Sequence, residues 1–231
     1  MENSLAQSEA YRKGLFYVQN EASMLAVNIL DPRPDATMLD LCCGVGGKTT
    51  FMAELMGDKG RIDAYDIHNH KINLLKSNYT QLGLSIINGQ PQDILALEPS
   101  PSTDGVLLDA PCAGLGVLNR RSDARWRKTP QDLADLEGLQ TQMLEKAGQF
   151  VKSGGRLVYS TCTITKTENE DQVRGYIARH PEFSLDGFRD EISFFPLDSH
   201  DAHRAGSGML TVLPGKYGTD GMFYARLRRT D

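Results

Sequence analysis

The sequence of 231 residues predicts an α/β domain in which helices cover both faces of a mostly parallel sheet. The length fits one large domain, or one domain with an appendage. Strand-like apolar runs alternate with helix-like segments almost from the start of the chain, which is typical of strands joined by crossover helices. A Gly-rich loop follows the first strand and opens a helix, as in nucleotide-binding α/β folds. The run 105–109 is apolar almost throughout, as expected of a strand buried on both faces.

The first half of the chain supplies four of the seven predicted strands. A helix over 21–30 ends at the turn "DPRPD", because proline disfavours continuation of a helix. Gly57 is expected to cap the helix that follows the Gly-rich loop. In order, the predicted elements are helix 21–30, strand 37–41, helix 49–57, strand 61–66, helix 69–83, strand 84–88 and strand 105–109.

The second half begins with an Arg-rich loop and a long helix that starts near Pro130, since proline suits a first helical position. The predicted elements are helix 130–151, strand 154–160, helix 168–180, and strands 209–214 and 221–229. The segment between Phe183 and the strand at 209 is expected to be a loop. Its "SHDAH" run at 199–203 is expected to be polar surface, and no metal site is predicted. Residues 1–18 are predicted to be a tether and residues 19–231 the domain.

Composition excludes several classes of protein. A net charge of −5 argues against wholesale coating of nucleic acid, which depends on neutralising phosphates with Lys and Arg. No apolar run reaches the roughly 18 residues that a membrane span needs, and the N-terminus lacks the apolar core of a signal peptide, so a cytoplasmic protein without a membrane partner is expected. The four cysteines, two of them adjacent, fit neither a disulfide framework nor zinc-ligand spacing.

A nucleoside cofactor is predicted at the carboxyl end of the sheet. The strand that ends in Asp40 leads into the loop "CCGVGGK" at 42–48, whose amides and following helix N-terminus can hold a carboxylate. Asp66 ends the next strand and can accept hydrogen bonds from a ribose. The loop is neither the dinucleotide fingerprint nor a Walker A loop, which favours S-adenosylmethionine over NAD and ATP. The alternative is a tight turn with a solvated Asp66, and Asp93, a candidate for the adenine, is alternatively a helix cap.

Two cysteines stand just past strand ends, at the edge of the sheet where ligands bind. Cys112 follows "DAP" and Cys162 ends "YSTC", so we expect the two thiols to be neighbours, whereas Cys42 and Cys43 are expected to be packing residues. Carbon 5 of cytosine becomes nucleophilic only when a thiolate adds at carbon 6. The resulting adduct must later lose a proton and expel the thiol. One nucleophile and one release group would account for two cysteines.

Five segments resemble successive motifs of the Sun/RsmB-type branch of RNA 5-methylcytosine methyltransferases, and the resemblance covers roughly residues 14–229. The segments are "LDLCCGVGGKTT" (39–50), "YDIH" (65–68), "LLDAPCAGLGVLNRR" (107–121), "YSTCTITKTENE" (159–170) and "DGMFYARL" (220–227). The resemblance implies a Rossmann-like methyltransferase fold with a seven-stranded sheet. Where the family loop usually reads Cys-Ala-Ala-Pro-Gly-Gly-Lys, Cys43, Gly44 and Val45 stand in place of Ala-Ala-Pro.

The resemblance also implies roles for individual residues. Cys162 is the implied nucleophile and Cys112 assists release, while Asp109 holds the base and Lys48 lies by the cofactor and the reacting ring. Asp66 would bind the ribose and Asp93 the adenine. The implied cofactor-binding set is Cys42, Cys43, Gly44, Val45, Gly46, Gly47, Lys48, Asp66, Asp93 and Asp109.

One dense basic patch lies next to the Cys112 segment, and RNA contacts are predicted there, because such a patch can clamp phosphates while a base is splayed out for chemistry. Trp126, inside the patch, is expected to pack into the core. The alternative is a solvated loop. The predicted RNA-binding residues are Arg120, Arg121, Arg125, Arg127 and Lys128.

The sequence thus predicts an S-adenosylmethionine-dependent methyltransferase acting on carbon 5 of a cytidine in RNA, with 16S ribosomal RNA as the expected substrate. The rivals are a DNA cytosine methyltransferase, in which Cys112 would be the nucleophile, a catalytically silent RNA-binding assembly factor, and a nicotinamide-dependent oxidoreductase. Members of this branch usually carry an N-terminal RNA-binding domain. The chain is therefore expected to be a fragment or a short form that needs that domain, or a partner, to present the RNA.

Overall fold

The computed structural model describes residues 8–100 and 102–230. In this part of the chain, eight strands form one sheet in the order β3-β2-β1-β4-β5-β8-β6, with β7 also paired to β8. The strands are β1 Thr37–Asp40, β2 Arg61–Asp66, β3 Ile87–Pro91, β4 Thr103–Asp109, β5 Val151–Thr161, β6 Phe183–Leu185, β7 Met209–Val212 and β8 Met222–Arg229. The helices are α1 Glu9–Arg12, α2 Glu21–Leu30, α3 Gly47–Leu55, α4 Asn69–Gln81, α5 Ala124–Arg127, α6 Pro130–Gly148, α7 Glu170–Arg179 and α8 Ser199–Gly206.

The sheet has seven strand positions although it has eight strands. Strands β1 to β5 are mutually parallel, and β8 runs antiparallel to β5. The short strands β6 and β7 pair with successive halves of the same edge of β8 and so share the seventh position. The chain order reverses between β1 and β4, and in open α/β sheets the crevice at such a switch point is where ligands bind.

Two apolar layers sandwich the sheet, as the buried strand 105–109 predicts. In β4, Leu107 packs into the cluster shared with α2, α3 and α4, whereas Val106 and Leu108 pack into the cluster shared with α6 and α7. This alternation follows from the two-residue period of a strand. The predicted α/β class, with helices on both faces, is confirmed.

Several predicted boundaries are wrong, and the third strand shows why. It was expected over 84–88 but runs from Ile87 to Pro91. The side chain of Asp58 accepts hydrogen bonds from the backbone N–H groups of Ser85 and Ile86, which holds this stretch in the turn that precedes the strand. The long helix α6 ends at Gly148 and not at 151, because Val151 already begins β5.

The segment between Phe183 and 209 is not the loop that the sequence predicted. Residues 183–185 form β6, which is too short to show an alternating pattern, and "SHDAH" lies in helix α8. Asp198 caps that helix, since its side chain accepts a hydrogen bond from the Asp201 N–H at 2.8 Å. This N-cap spacing was the available sequence signal.

The first described residues contact the domain directly. The Gln81 side chain, at the end of α4, donates a hydrogen bond to the Tyr11 carbonyl. Tyr17 and Gln19 lie beside Gly47 at the start of α3. The division of the chain at residue 18 stays a prediction. Among the described residues, no helix combines the length and the apolar character that a membrane crossing requires.

Candidate active site

A cleft of about 690 Å³ opens at the carboxyl ends of β1, β2, β4 and β5. Strands β1 and β2 contribute its wall through Cys42 and Asp66, and β4 and β5 contribute Asp109, Cys112 and Cys162. Parallel strands place their carboxyl ends at one edge of the sheet, which is why segments far apart in sequence meet here.

The Gly-rich loop connects β1 to α3 by a tight turn. Gly46 has a φ of +95°, and a Cβ at this position would lie 2.2 Å from the Cδ1 of Leu75 on α4, so only glycine fits. Cys42 and Gly44 line the cleft. The Cys43 side chain is buried in the core and Val45 is exposed, and neither is part of the cleft wall. The loop therefore offers the cleft backbone and small side chains.

Beneath this loop lies a carboxylate to which the sequence analysis assigned no role. Asp40 is buried at the end of β1 and accepts a hydrogen bond from the Thr49 hydroxyl at 2.7 Å. Its Oδ1 atom has no hydrogen-bond partner among the described residues. Burial raises the pKa of Asp40 to about 6. Thr49 follows the Gly-rich loop, so the contact ties α3 to β1.

The two carboxylates predicted for the nucleoside both line the cleft. Asp66 accepts hydrogen bonds from the His68 N–H at 2.9 Å and from Lys71 Nζ at 3.1 Å. Lys71 also lines the cleft, which the sequence did not predict. The one local indication of this contact with Asp66 is that Lys71 lies in the first turn of α4, five residues after Asp66. Asp93 caps a short 3₁₀ helix by accepting from the Leu95 N–H, which is the alternative foreseen for it.

The two cysteines predicted to be neighbours are in contact, with their Sγ atoms 3.3 Å apart. A hydrogen bond from the Cys112 thiol lowers the pKa of Cys162, and the nearby cations Lys48 and Arg121 lower it further against the opposing effects of burial and Asp109. The same hydrogen bond and burial raise the pKa of Cys112. The pKa shifts of the two thiols therefore have opposite directions, with that of Cys162 lowered and that of Cys112 raised.

A half-buried ion pair lies next to the thiols. Lys48 Nζ is 2.7 Å from Asp109 Oδ2, and the Ser160 hydroxyl donates to Asp109 Oδ1 at 2.8 Å. Burial alone would lower the pKa of Lys48, but the Asp109 carboxylate raises it, so the lysine carries its charge beside Asp109, although Lys48 itself is not part of the cleft wall. Polar groups of α3, β4 and β5 thus converge beside the two sulfurs.

Only two of the five predicted RNA-binding residues of the basic patch line the cleft. Arg121 and Lys128 line it, whereas Arg120 pairs with Asp220 at 2.9 Å. Arg127 pairs with Asp123, the residue that precedes α5. Trp126 is 84% exposed, so the expectation that it packs into the core is wrong. The reason is that α5 is a single turn without any buried residue.

The strand order, the Gly-rich loop and the acidic residue after β2 are together the features of S-adenosylmethionine-dependent methyltransferases of Rossmann-like fold, and this chain has all three. Residues 27–228 match the family described as 16S rRNA methyltransferase RsmB/F. The chain belongs to this family, as the resemblance of its motifs predicted.

Individual relatives agree with this assignment. The chain is 36% identical, over 99% of its length, to the probable ribosomal RNA small subunit methyltransferase B of Bacillus subtilis, of which the match covers 51%. It is 35% identical, over 92% of its length, to ribosomal RNA small subunit methyltransferase B of Thermus thermophilus, with 50% of that protein covered. The chain thus spans about half the length of these relatives.

A solved structure shows the same fold at high similarity. The crystal structure of NSun6 from Pyrococcus horikoshii with SFG, an analogue of S-adenosylmethionine, superposes with a TM-score of 0.84 at 31% identity. The match covers 99% of this chain and 57% of that one.

Proposed function

We propose that this chain carries the catalytic site of an RNA (cytosine-C5)-methyltransferase that uses S-adenosylmethionine to methylate a cytidine of 16S ribosomal RNA. The observation that carries the proposal is the pair of thiols 3.3 Å apart, of which Cys162 has a lowered pKa. Methyl transfer to oxygen or nitrogen needs no such pair, whereas carbon 5 of cytosine needs a sulfur nucleophile to activate the ring.

The cleft fits the cofactor in size and in its donor set. Its volume of about 690 Å³ is within the range of small-molecule sites. Asp66 retains lone pairs to accept from the ribose hydroxyls beside Lys71, and Ile94 and Leu95 offer apolar surface near Asp93 for the adenine. The loop at 42–48 and the N-terminus of α3 offer backbone N–H groups to the methionine carboxylate. When bound, S-adenosylmethionine supplies an activated methyl group.

Cys162 is the nucleophile in this proposal. Its thiolate adds to carbon 6 of the cytosine, so that electron density moves to carbon 5, the position that accepts the methyl group. Asp109 holds the amino edge of the base, and Lys48 fixes Asp109 by the ion pair and contributes positive charge beside the ring. After methylation a bound water takes the proton from carbon 5, the electron pair of that C–H bond restores the ring double bond, and the carbon–sulfur bond breaks with its electron pair on the Cys162 sulfur. Cys112, whose raised pKa keeps it protonated, has a proton to give to the departing sulfur.

RNA reaches this cleft past the basic patch. Arg121 and Lys128 line the cleft itself, and Arg125 and the exposed Trp126 lie between them in sequence. Single-stranded RNA is bound by cations that meet its phosphates and by aromatic rings that stack on its bases. Because the relatives are about twice as long as this chain, we propose that a further RNA-binding unit or a partner presents the ribosomal RNA.

The two thiols provide the decisive experiment. Cys162→Ala should abolish both methylation and any covalent adduct with RNA, because the pathway cannot be entered without the nucleophile. Cys112→Ala should allow the adduct to form but stall its breakdown, so that protein crosslinked to RNA accumulates on a denaturing gel. The substrate is unmethylated 16S ribosomal RNA, and Ser207→Ala, an exposed position that does not line the cleft, is the control.

Two outcomes would contradict the proposal. If crosslinks accumulate in Cys162→Ala and disappear in Cys112→Ala, the roles are exchanged, as in DNA cytosine methyltransferases. If the wild-type chain transfers methyl groups and both variants remain active, the thiols take no part in the chemistry. Mass spectrometry of the modified nucleoside decides whether the methyl group is on carbon 5.

A further inference from the structure

The loops that carry the two thiols come from different strands. Cys112 follows β4 and Cys162 follows β5, and the two lie 50 positions apart in sequence. Each loop is bound to one of two consecutive side chains that the proposed mechanism does not use, Glu168 and Asn169. Both are almost completely buried, with exposures of 0% and 1%.

Glu168 binds the loop of Cys112. Its Oε1 accepts a hydrogen bond from the Ala113 N–H at 2.8 Å, immediately after Cys112. The Gln140 side chain donates both to this Oε1 atom and to the Pro111 carbonyl, immediately before Cys112. The other carboxylate oxygen accepts from the Thr165 hydroxyl at 2.6 Å. The backbone on both sides of Cys112 is therefore bound, directly or through Gln140, to one carboxylate.

Asn169 binds the loop of Cys162. Its Oδ1 accepts from the Thr161 hydroxyl at 2.6 Å, and its Nδ2 donates to the Thr163 carbonyl at 3.1 Å. These two residues are the immediate neighbours of Cys162. The Tyr159 hydroxyl, on β5, donates to the Glu168 carbonyl and so ties the pair to the sheet.

We propose that Glu168 and Asn169 are a pair of positioning residues that set the distance between the two thiols. Glu168 holds the loop of Cys112, and the next residue, Asn169, holds the loop of Cys162. A shift of one loop relative to the other must therefore break a buried hydrogen bond. A buried carboxylate that loses its donors is costly, which gives the arrangement its rigidity. The biological use of this spacing rests on the proposed function, because only the thiol chemistry needs it.

A merely structural role for the pair predicts a loss of stability and nothing more. The positioning role also predicts a change in the chemistry of the thiols, which can be measured without RNA. The first measurement is the rate at which diamide, which takes up two electrons and two protons, oxidises Cys112 and Cys162 to a disulfide. The second is the rate of Cys162 alkylation by iodoacetamide as a function of pH, followed by peptide mass spectrometry.

Glu168→Ala and Asn169→Ala should slow disulfide formation by about tenfold, the effect of losing one hydrogen bond to a charged or buried group. Alkylation of Cys162 near neutral pH should fall as well, because Cys112 no longer stays within hydrogen-bond distance. Glu168→Gln, which keeps the shape and an acceptor oxygen, should restore rates to within about twofold of wild type. Glu170→Ala is the matched control, since Glu170 is the next carboxylate in the same motif but pairs with Arg204 on α8.

The proposal is overturned if folded Glu168→Ala and Asn169→Ala keep wild-type rates of disulfide formation and alkylation. Binding of S-adenosylmethionine measures folding, because neither residue lines the cleft. If the alanine variants do not fold, Gln140→Leu on α6 tests the same link, and unchanged thiol rates in it overturn the proposal equally. If instead Cys112→Ala traps no RNA adduct when the RNA-binding unit or partner is supplied, the proposed function fails, while the thiol rates still decide the positioning role.

Discussion

Among single residues, the three carboxylates at the strand ends differ in their hydrogen-bond and ion-pair partners. Asp109 is held by Lys48 and Ser160 next to the thiols, and Asp66 is held by Lys71 and the backbone of His68. Asp40 accepts a hydrogen bond from Thr49, and burial raises its pKa. The two acids that form ion pairs line the cleft, whereas Asp40, for which no ion pair is found among the described residues, lies beneath the loop.

The proposed contact of Asp66 with the ribose leads to a prediction about cofactor affinity. Asp66→Ala should weaken S-adenosylmethionine and its demethylated product by about tenfold or more, because each loses hydrogen bonds to a charged acceptor. Calorimetry measures both affinities. Asp63→Ala is the matched control, since Asp63 lies on the same strand but pairs with Arg61 outside the cleft. Unchanged affinity in Asp66→Ala would refute the ribose assignment.

The exposure of Trp126 leads to a prediction about RNA affinity. Stacking of a base on an aromatic ring contributes about 1–3 kcal/mol, so Trp126→Ala should weaken single-stranded RNA binding by about tenfold. Trp126→Phe should retain most of the affinity, and cofactor binding should not change. Phe194→Ala is the control, because Phe194 is also an exposed aromatic but lies beside α2, away from the cleft. Equal losses in Trp126→Ala and Phe194→Ala would exclude specific stacking.

At the scale of elements, the contact between α6 and α7 ends in a histidine between two carboxylates. His180, at the end of α7, bonds to Glu145 of α6 through Nε2 and to Glu182 through Nδ1, and its ring stacks on Tyr176. Burial lowers the pKa of His180, but the two carboxylates more than offset this effect, and the pKa is raised. The charged form of the histidine therefore stabilises this end of the helix pair.

This raised pKa makes the stability of the chain depend on pH. A group whose pKa is higher in the folded state contributes its stabilisation in full below its unfolded pKa, which for histidine is about 6.5, and loses it as pH rises through the folded pKa. His180→Gln should therefore lower Tm more at about pH 6 than at about pH 9. Glu145→Gln should show the same trend. Equal losses of Tm at both pH values would show that the charge contributes nothing.

For the whole molecule, the net negative charge disfavours RNA binding, except at the basic patch near the cleft. The chain carries a net charge of −5, yet Arg121, Arg125 and Lys128 have no ion pair within the described residues, and Arg127 pairs only with an exposed Asp123. The acidic remainder of the surface repels phosphates. RNA binding by this chain should therefore be local and weak.

The salt dependence of RNA binding tests this description. If these four cations each meet one phosphate, log Kobs should fall with log salt concentration with a slope of roughly −3, at about 0.7 per phosphate for a single strand. Filter binding across a salt series measures the slope, and Arg121→Ala combined with Lys128→Ala should bring it closer to zero. Tight binding that is insensitive to salt would mean that another surface recognises the RNA.

The class of the fold and the residues expected at the edge of the sheet could both be predicted from the sequence. Periodicity of two and of 3.6 residues is a local property, so the alternation of strands and helices was visible without any tertiary contact. Parallel strands end at one edge, and for that reason Asp66, Asp109, Cys112 and Cys162 could be assigned to one cleft. Element boundaries were less accurate, since β3 is shifted by the side chain of Asp58 and β6 is too short to show a period.

The contacts between side chains could not be predicted from the sequence and are seen only in the folded chain. The 3.3 Å between Cys112 and Cys162, the pairing of Arg120 with Asp220 and the hydrogen bonds from Gln140 to Glu168 and Pro111 join residues far apart in the chain. No local pattern encodes such distances, because they depend on how loops from different strands pack against one another. The exposure of a side chain also depends on tertiary packing. Trp126 has the apolar ring typical of a core residue, but the short helix α5 that carries it has no buried residue, and the ring is exposed.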